Sequence, residues 1–256
     1  MTKLNTSPKK RKKIHHKRRK NYNFRRYFLL AILFISLVFT GFYLKNKLSF
    51  YYAKYFEKSV HKKLKNSLEE AARIDKIVTE YNDKIFGFDI SHYQRKQDIN
   101  WDSLTIANGS IKLDFVVMRA TMGNKRKDKH FDDFWQLAKE RQLIRGAYHF
   151  YRADEDPVIQ ANNFLESVKL EKGDLPPVLD IEKLPKSQSI DSLKVGLRRW
   201  LKKVERHYKV KPIIYSGESY YNDFLKKEFS DYPLWIANYN FWRNHLEDDW
   251  LFWQFT

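Results

Sequence analysis

Asp180 and Glu182 close the run Pro176-Pro177-Val178-Leu179-Asp180-Ile181-Glu182. Val178, Leu179 and Ile181 are the apolar, partly β-branched residues of a core strand. Residues two apart in a strand point to the same side, so the two carboxyls share a face. Their Cα atoms then lie roughly 6.6 Å apart, at about 3.3 Å per residue. Like charges at that spacing repel, and one pKa rises. A carboxyl held neutral near pH 7 is a general acid. The plain alternative is two solvated acids at a strand end, and the stretch by itself does not separate the two. Clustered carboxylates also suit a hard divalent cation. His92 and His149 lack a third ligand at a metal-binding spacing and read as core or hydrogen-bonding histidines. On these residues alone the cation reading stays open, and no cofactor is expected.

The elements that must position these acids begin at residue 85. Candidate strands are 85–90, 115–120, 146–151, 178–182, 213–216, 234–239 and 251–255. Helical stretches fall at 131–142, 158–168, 190–208 and 218–227. Short apolar strands alternating with helices imply βα units and a parallel sheet. At least five such units in this length suggest an α/β fold of the small or incomplete β/α-barrel type. A doubly wound sheet is the fallback, since no Gly-rich phosphate loop marks either choice.

In such folds the site forms at the C-terminal strand ends. Those ends carry Asp89 with Ser91 and His92, Arg119 with Thr121, Tyr148 with His149, Asp180 with Glu182, Tyr215 with Ser216, Asn238 with Tyr239, and Trp253 with Gln254. The set is a ring of acids, aromatics and hydrogen-bond donors.

The segment ahead of the domain differs in character. Twelve Lys and Arg and no acid fall in residues 1–26, two thirds of the formal net charge of +18. This basic tail is expected to be disordered. Residues 27–44 carry no charge and, as a helix, span about 27 Å, close to the hydrocarbon thickness of a bilayer. Tyr22, Tyr27 and Tyr43 suit the interfaces, and the tail supplies a positive-inside signal. The expectation is an uncleaved single-pass signal anchor in the cell membrane, N-terminus cytoplasmic and domain extracellular. A cleaved signal peptide is the rival, but no Ala-x-Ala-like site follows. This context argues against nucleic acid as the tail's partner. Residues 45–84 mix apolar and charged positions at helical spacing without Pro or Gly, as expected of a helical stalk. The chain has no cysteine, which excludes disulfides, thiolate metal sites and a cysteine nucleophile.

From about residue 85 onward the chain resembles glycoside hydrolase family 25, the lysozyme-like muramidases. Six ordered motifs carry the resemblance: Asp89-Ile90-Ser91-His92-Tyr93-Gln94, Phe115-Val116-Val117-Met118-Arg119-Ala120-Thr121, Arg145-Gly146-Ala147-Tyr148-His149-Phe150, Leu179-Asp180-Ile181-Glu182, Leu234-Trp235-Ile236-Ala237-Asn238-Tyr239 and Trp253-Gln254-Phe255-Thr256. The resemblance implies an irregular TIM-like barrel of five β/α units plus extra strands, spanning 85–256. It implies cleavage of the β-1,4 bond between N-acetylmuramic acid and N-acetylglucosamine in peptidoglycan. Glu182 matches the family's general acid, Asp180 the neighbouring acid, and Asp89 the acid of the first strand. Tyr148 and Tyr239 match positions near the sugar, and Tyr215, Trp253 and Gln254 are expected beside them.

A glycosidase needs one protonated carboxyl at the leaving oxygen and one carboxylate facing the oxocarbenium-like transition state. The expectation is a protonated Glu182 with Asp89 and Asp180 ionised. Two departures from the family pattern stand out. Met122 occupies a position where the family usually has Glu, and the family's last strand, with a further Asp, would lie beyond Thr256. They motivate an alternative, a membrane-anchored module that binds peptidoglycan without cutting it.

Overall fold

The computed structural model describes residues 24–41, 44–45, 48, 51–52, 68–240, 243 and 245–256. The first 23 residues of the expected tail, residues 42–43 of the apolar run and most of residues 46–67 lie outside them. The chain divides into a unit of residues 1–49 and a unit of residues 50–256. In the first, helix α1 (Phe24–Gly41) is long and apolar enough to cross a membrane, and it is exposed on all sides.

The second unit is mixed α/β. Its elements are α2 (Leu68–Glu80), β1 (Gly87–Ile90), β2 (Thr105–Ile106), β3 (Ile111–Lys112), β4 (Phe115–Met122), β5 (Arg126–Lys127), α3 (Phe131–Glu140), β6 (Ile144–Phe150), α4 (Pro157–Ser167), β7 (Val178–Asp180), α5 (Ile190–Tyr208), β8 (Ile213–Gly217), α6 (Glu218–Tyr220), α7 (Lys226–Phe229), β9 (Leu234–Ala237) and β10 (Trp250–Gln254). A π-helical turn, Tyr221–Leu225, joins α6 to α7. Helix starts follow local chemistry. The Asp156 carboxylate accepts from the Val158 and Ile159 amides, with Pro157 at the first position of α4. Ser189 caps α5 in the same way.

The main sheet runs β1-β4-β6-β7-β8-β9-β10, every neighbouring pair parallel, with β5 antiparallel on the end of β4. The order follows the chain without reversal. A doubly wound sheet reverses at a switch point, so that fallback is excluded and the sheet curls in one direction. The β2–β3 hairpin and β5 were not legible as strands, because two-residue strands carry no period.

The two faces of the curl have separate cores. Outside, α3, α4 and α5 pack through Phe131, Phe134, Phe164, Leu197, Trp200 and Leu201 against Val116, Met118, Leu179 and Ile214. Inside, Phe115, Val117, Val178, Ile213 and Trp235 fill the N-terminal half of the curl, joined by Phe252. Gly87 is needed here, since a Cβ on it would overlap the Phe115 ring. Helix α2, expected as stalk, packs on the sheet: Ile77 and Val78 are buried, and Val78 joins Phe86, Leu113 and Phe255 in a third cluster.

Candidate active site

On four strands the inward-facing row changes from apolar to polar in one pleat. β4 goes from Phe115 and Val117 to Arg119, β7 from Val178 to Asp180, β8 from Ile213 to Tyr215, and β10 from Phe252 to Gln254. The period of two carries the chain out of the inner core and into a cavity of about 560 Å³ at the C-terminal strand ends. Asp89, Arg119, Met122, Tyr148, Asp180, Glu182, Tyr215, Trp235, Tyr239 and Gln254 all line it. A cleft of about 620 Å³ along α5 is slightly larger, but its two acids, Asp191 and Glu228, are both ion-paired to Lys194. Volume alone therefore does not mark the site.

Local pairing fixes each acid. β7 ends at Asp180, one pleat earlier than the sequence suggested. The backbone beyond it stays pinned: the Ile181 amide donates to the Tyr215 carbonyl at 3.0 Å, and Ser216 Oγ donates to the Ile181 carbonyl at 2.8 Å. The Lys183 carbonyl accepts from Tyr220 OH at 3.1 Å. Glu182 is thus framed on both sides and reaches the same cavity as Asp180. In β4 the register with β6 shifts between Arg119 and Thr121. This bulge lets Arg119 and Met122 face the cavity while Thr121 turns to the outer core.

Gln254 is the hub of the polar network. Its Nε2 donates to Asp89 Oδ2 at 2.6 Å, and its Oε1 accepts from Tyr215 OH at 2.7 Å and Tyr239 OH at 2.6 Å. The two hydroxyls orient the amide, so that its N–H₂ group faces the carboxyl. Tyr239 is placed by the preceding Asn238, whose amide donates to the Gln254 carbonyl at 3.1 Å.

Burial and like charge act on the acids. Asp180 is only 6% exposed, and its Oδ1 accepts no hydrogen bond. Burial first, then Glu182 and Asp89, hold its carboxyl well above the usual carboxylate range, against a smaller opposing pull from Arg119. Burial and then Glu182 raise Asp89 to about 6, with the Gln254 hydrogen bond pulling the other way. Burial outweighs the Arg119 and Lys183 charges and works against the ionisation expected of Asp180. Asp89 is the carboxyl that ionises near neutrality. Burial and the negative charges of Asp180 and Asp89 also raise the Tyr148 phenol well above its ordinary value.

Among the expected residues, Trp253 is not in the cavity wall. It faces the opposite side from Gln254, with Nε1 donating to the Asn238 carbonyl at 3.0 Å and its ring edge-on to Tyr81. Trp235 is buried yet reaches the cavity beside Tyr215, with ring centroids 4.8 Å apart. Arg119 was visible only as a strand-end residue. Its place in the cavity, where its charge acts on Asp180, needed the bulge. His149 is a buried core histidine: Thr121 Oγ1 lies 2.7 Å from Nδ1, Gln160 Oε1 lies 3.1 Å from Nε2, and burial lowers its pKa to about 4. Since an amide oxygen only accepts, Nε2 carries the proton and Nδ1 accepts from Thr121.

A family model described as "Glycosyl hydrolases family 25" matches residues 88–256. "Uncharacterized protein YegX" of Escherichia coli (strain K12) is 38% identical over 174 residues, covering 66% of this chain and 62% of the relative. "Lysozyme M1" of Streptomyces globisporus is 29% identical over 185 residues, with 66% and 61% covered. The solved structure of a family 25 glycosyl hydrolase from Bacillus anthracis superposes with a TM-score of 0.59 at 28% identity, covering 68% of this chain and 79% of that one. The chain spans about three fifths of the length of the curated relatives it matches.

Proposed function

The chain belongs to family 25 of the glycosyl hydrolases, and on that footing we propose that it cleaves the β-1,4 bond between N-acetylmuramic acid and N-acetylglucosamine in peptidoglycan. The observation that carries the reading is the meeting of Asp89 with Asp180 and Glu182, a pair far from it in sequence, in one cavity walled by Tyr148, Tyr215, Tyr239 and Gln254. The similarity to Lysozyme M1 of Streptomyces globisporus supports the substrate class. No observation favours the alternative of a binding module without activity.

In this reading Glu182 protonates the leaving oxygen. Asp89, ionised above about pH 6, faces the positive charge that develops at the anomeric carbon. Asp180 keeps its proton and acts as a hydrogen-bond donor to the sugar, as a buried neutral carboxyl can. Its unpartnered Oδ1 is free to accept from the same sugar. The aromatic walls offer faces for the ring carbons. Met122 makes this rim apolar where a Glu would add a fourth acid.

The curled sheet is read as the family's five-plus-three barrel, since its strand order is sequential throughout. Helix α1 is read as a signal anchor holding the domain on the outer face of the cell membrane, supported by its apolar length and the basic tail before it. The test is incubation of the full chain with purified peptidoglycan and measurement of new reducing ends. Glu182→Gln is expected to lose about 10³-fold in turnover with its fold intact. A folded wild-type chain that releases no reducing ends, or a Glu182→Gln variant at the wild-type rate, overturns the assignment.

A further inference from the structure

Helix α2 lies outside residues 88–256, the stretch matched by the family. It covers the seam of the curled sheet. β1 and β10 stand at the two ends of the strand order, and among the described residues no backbone ladder joins them. Side chains bridge the gap instead. Gln254 donates to Asp89 at the cavity end. Below it, Phe255 meets Phe86 edge-on at 6.4 Å, and Phe252 meets Phe115 at 5.4 Å. Tyr81, just after α2, accepts from the Leu246 amide at 2.9 Å.

The most unusual residue in this seam is Arg73. It is 6% exposed. Nη1 and Nη2 donate to the same Phe255 carbonyl, at 3.0 and 2.9 Å, and Glu70 Oε1 lies 3.3 Å from Nη1. Its Nε is buried without a hydrogen-bond partner. Burying a guanidinium this way costs free energy, and apolar groups would seal a seam more cheaply. What Arg73 does that an apolar residue cannot is fix one carbonyl oxygen by two charged N–H groups. That carbonyl belongs to the residue following Gln254.

We propose that Arg73 is a positioning residue for the active site, holding the end of β10 through the Phe255 carbonyl so that the Gln254 amide stays clamped on Asp89. The segment that leads into the family domain is then part of the catalytic unit, not a spacer. The inference rests on the hydrolase reading above. Its consequence runs through Asp89, because the Gln254 N–H bond favours the ionised carboxyl. The other charged or titratable groups lining the cavity around Asp89 are Asp180 at the end of β7, Glu182 and Lys183 past it, Arg119 on β4, Arg126 on β5, Tyr148 on β6, Arg152 past β6, Tyr215 on β8, Tyr239 past β9, and His92 and Tyr93 past β1. None of them is on α2, so loss of Arg73 reaches Asp89 through Gln254.

The experiment uses the full chain and compares wild type, Arg73→Met, Arg73→Lys and Val78→Ala by reducing-end release from peptidoglycan between pH 4 and 8. Val78 is buried in the same seam and touches neither Phe255 O nor Gln254 through a hydrogen bond. Arg73→Met is expected to move the acid limb of the rate profile upward by about half a pH unit and to lower kcat about tenfold. Arg73→Lys, which keeps the charge but not the two-donor fork, moves the limb less and in the same direction. Val78→Ala lowers Tm and leaves the limb in place. A wild-type limb in folded Arg73→Met, or an equal shift in Val78→Ala, overturns the proposal. If Arg73→Met does not fold, Arg73→Lys decides, and an unmoved limb there overturns it. An inactive wild-type chain fails the hydrolase reading itself, whereas an active wild type with unmoved variants fails only the role given to Arg73.

Discussion

Asp174 and Asp180 sit six positions apart, one before β7 and one at its end; Asp180 is buried as a whole residue, and Asp174 is half-buried with its side chain turned inward. Their surroundings are opposite. Asp174 takes a bidentate pair from Arg145, with Nε to Oδ1 at 2.8 Å and Nη2 to Oδ2 at 2.9 Å, and it also accepts from the Glu171 amide at 2.8 Å. Asp180 has an empty Oδ1 and two carboxyl neighbours, Glu182 and Asp89. The first is a buried acid whose lone pairs are used by the protein. The second is a buried acid whose bonding capacity is left over. A fold gains nothing from an unsatisfied buried carboxyl, which costs free energy. That excess is what a sugar can meet. The contrast marks Asp180 as a candidate for ligand contact and Asp174 as an acid already committed to the fold.

Three measurements break or sharpen this contrast. The largest effect is expected from Arg145→Met, which strands the Asp174 carboxylate and should cost about 3–5 kcal/mol of stability. Denaturant unfolding reads that loss, while turnover per folded molecule stays near wild type. Asp180→Asn should do the reverse, with a loss of about 10³-fold, roughly 4 kcal/mol, in kcat/KM and a Tm equal to or above wild type. A Tm fall as large as that of Arg145→Met would make Asp180 a structural acid.

The third effect is a pH dependence of stability carried by Asp89. Its folded pKa of about 6 lies above the unfolded value, so the native state holds this proton more tightly between about pH 4 and 6. This contribution is greatest below about pH 4 and is lost as pH rises through 6, amounting to on the order of 2–3 kcal/mol. Urea unfolding of wild type and Asp89→Asn at pH 4.5 and 7 should show the variant gaining on the wild type at the higher pH. A difference independent of pH would place Asp89 in a solvated setting.

Much of the scaffold was legible because it is written in short-range pattern. The apolar runs around Val116, Leu179, Ile214 and Ile236 announced parallel strands, and the helical stretch expected at 190–208 coincides with α5. The spacing of Asp180 and Glu182 announced a shared face. Boundaries erred where pairing partners decide them, as at the end of β7. The bulge at Arg119 and the outward turn of Trp253 were not legible, because each depends on register with a neighbouring strand.

The amino-acid sequence determined the strand-end inventory, since residue type and a period of two are local properties. It therefore supplied the three acids, the tyrosines and Gln254 as candidates. Tertiary structure alone decided their electrical state. Burial of Asp180, the clamp from Gln254 to Asp89, and the reach of Arg73 from α2 to Phe255 join residues up to 182 positions apart. The physical reason is range: desolvation and Coulomb interaction depend on distance in space, and the chain order carries no direct measure of it.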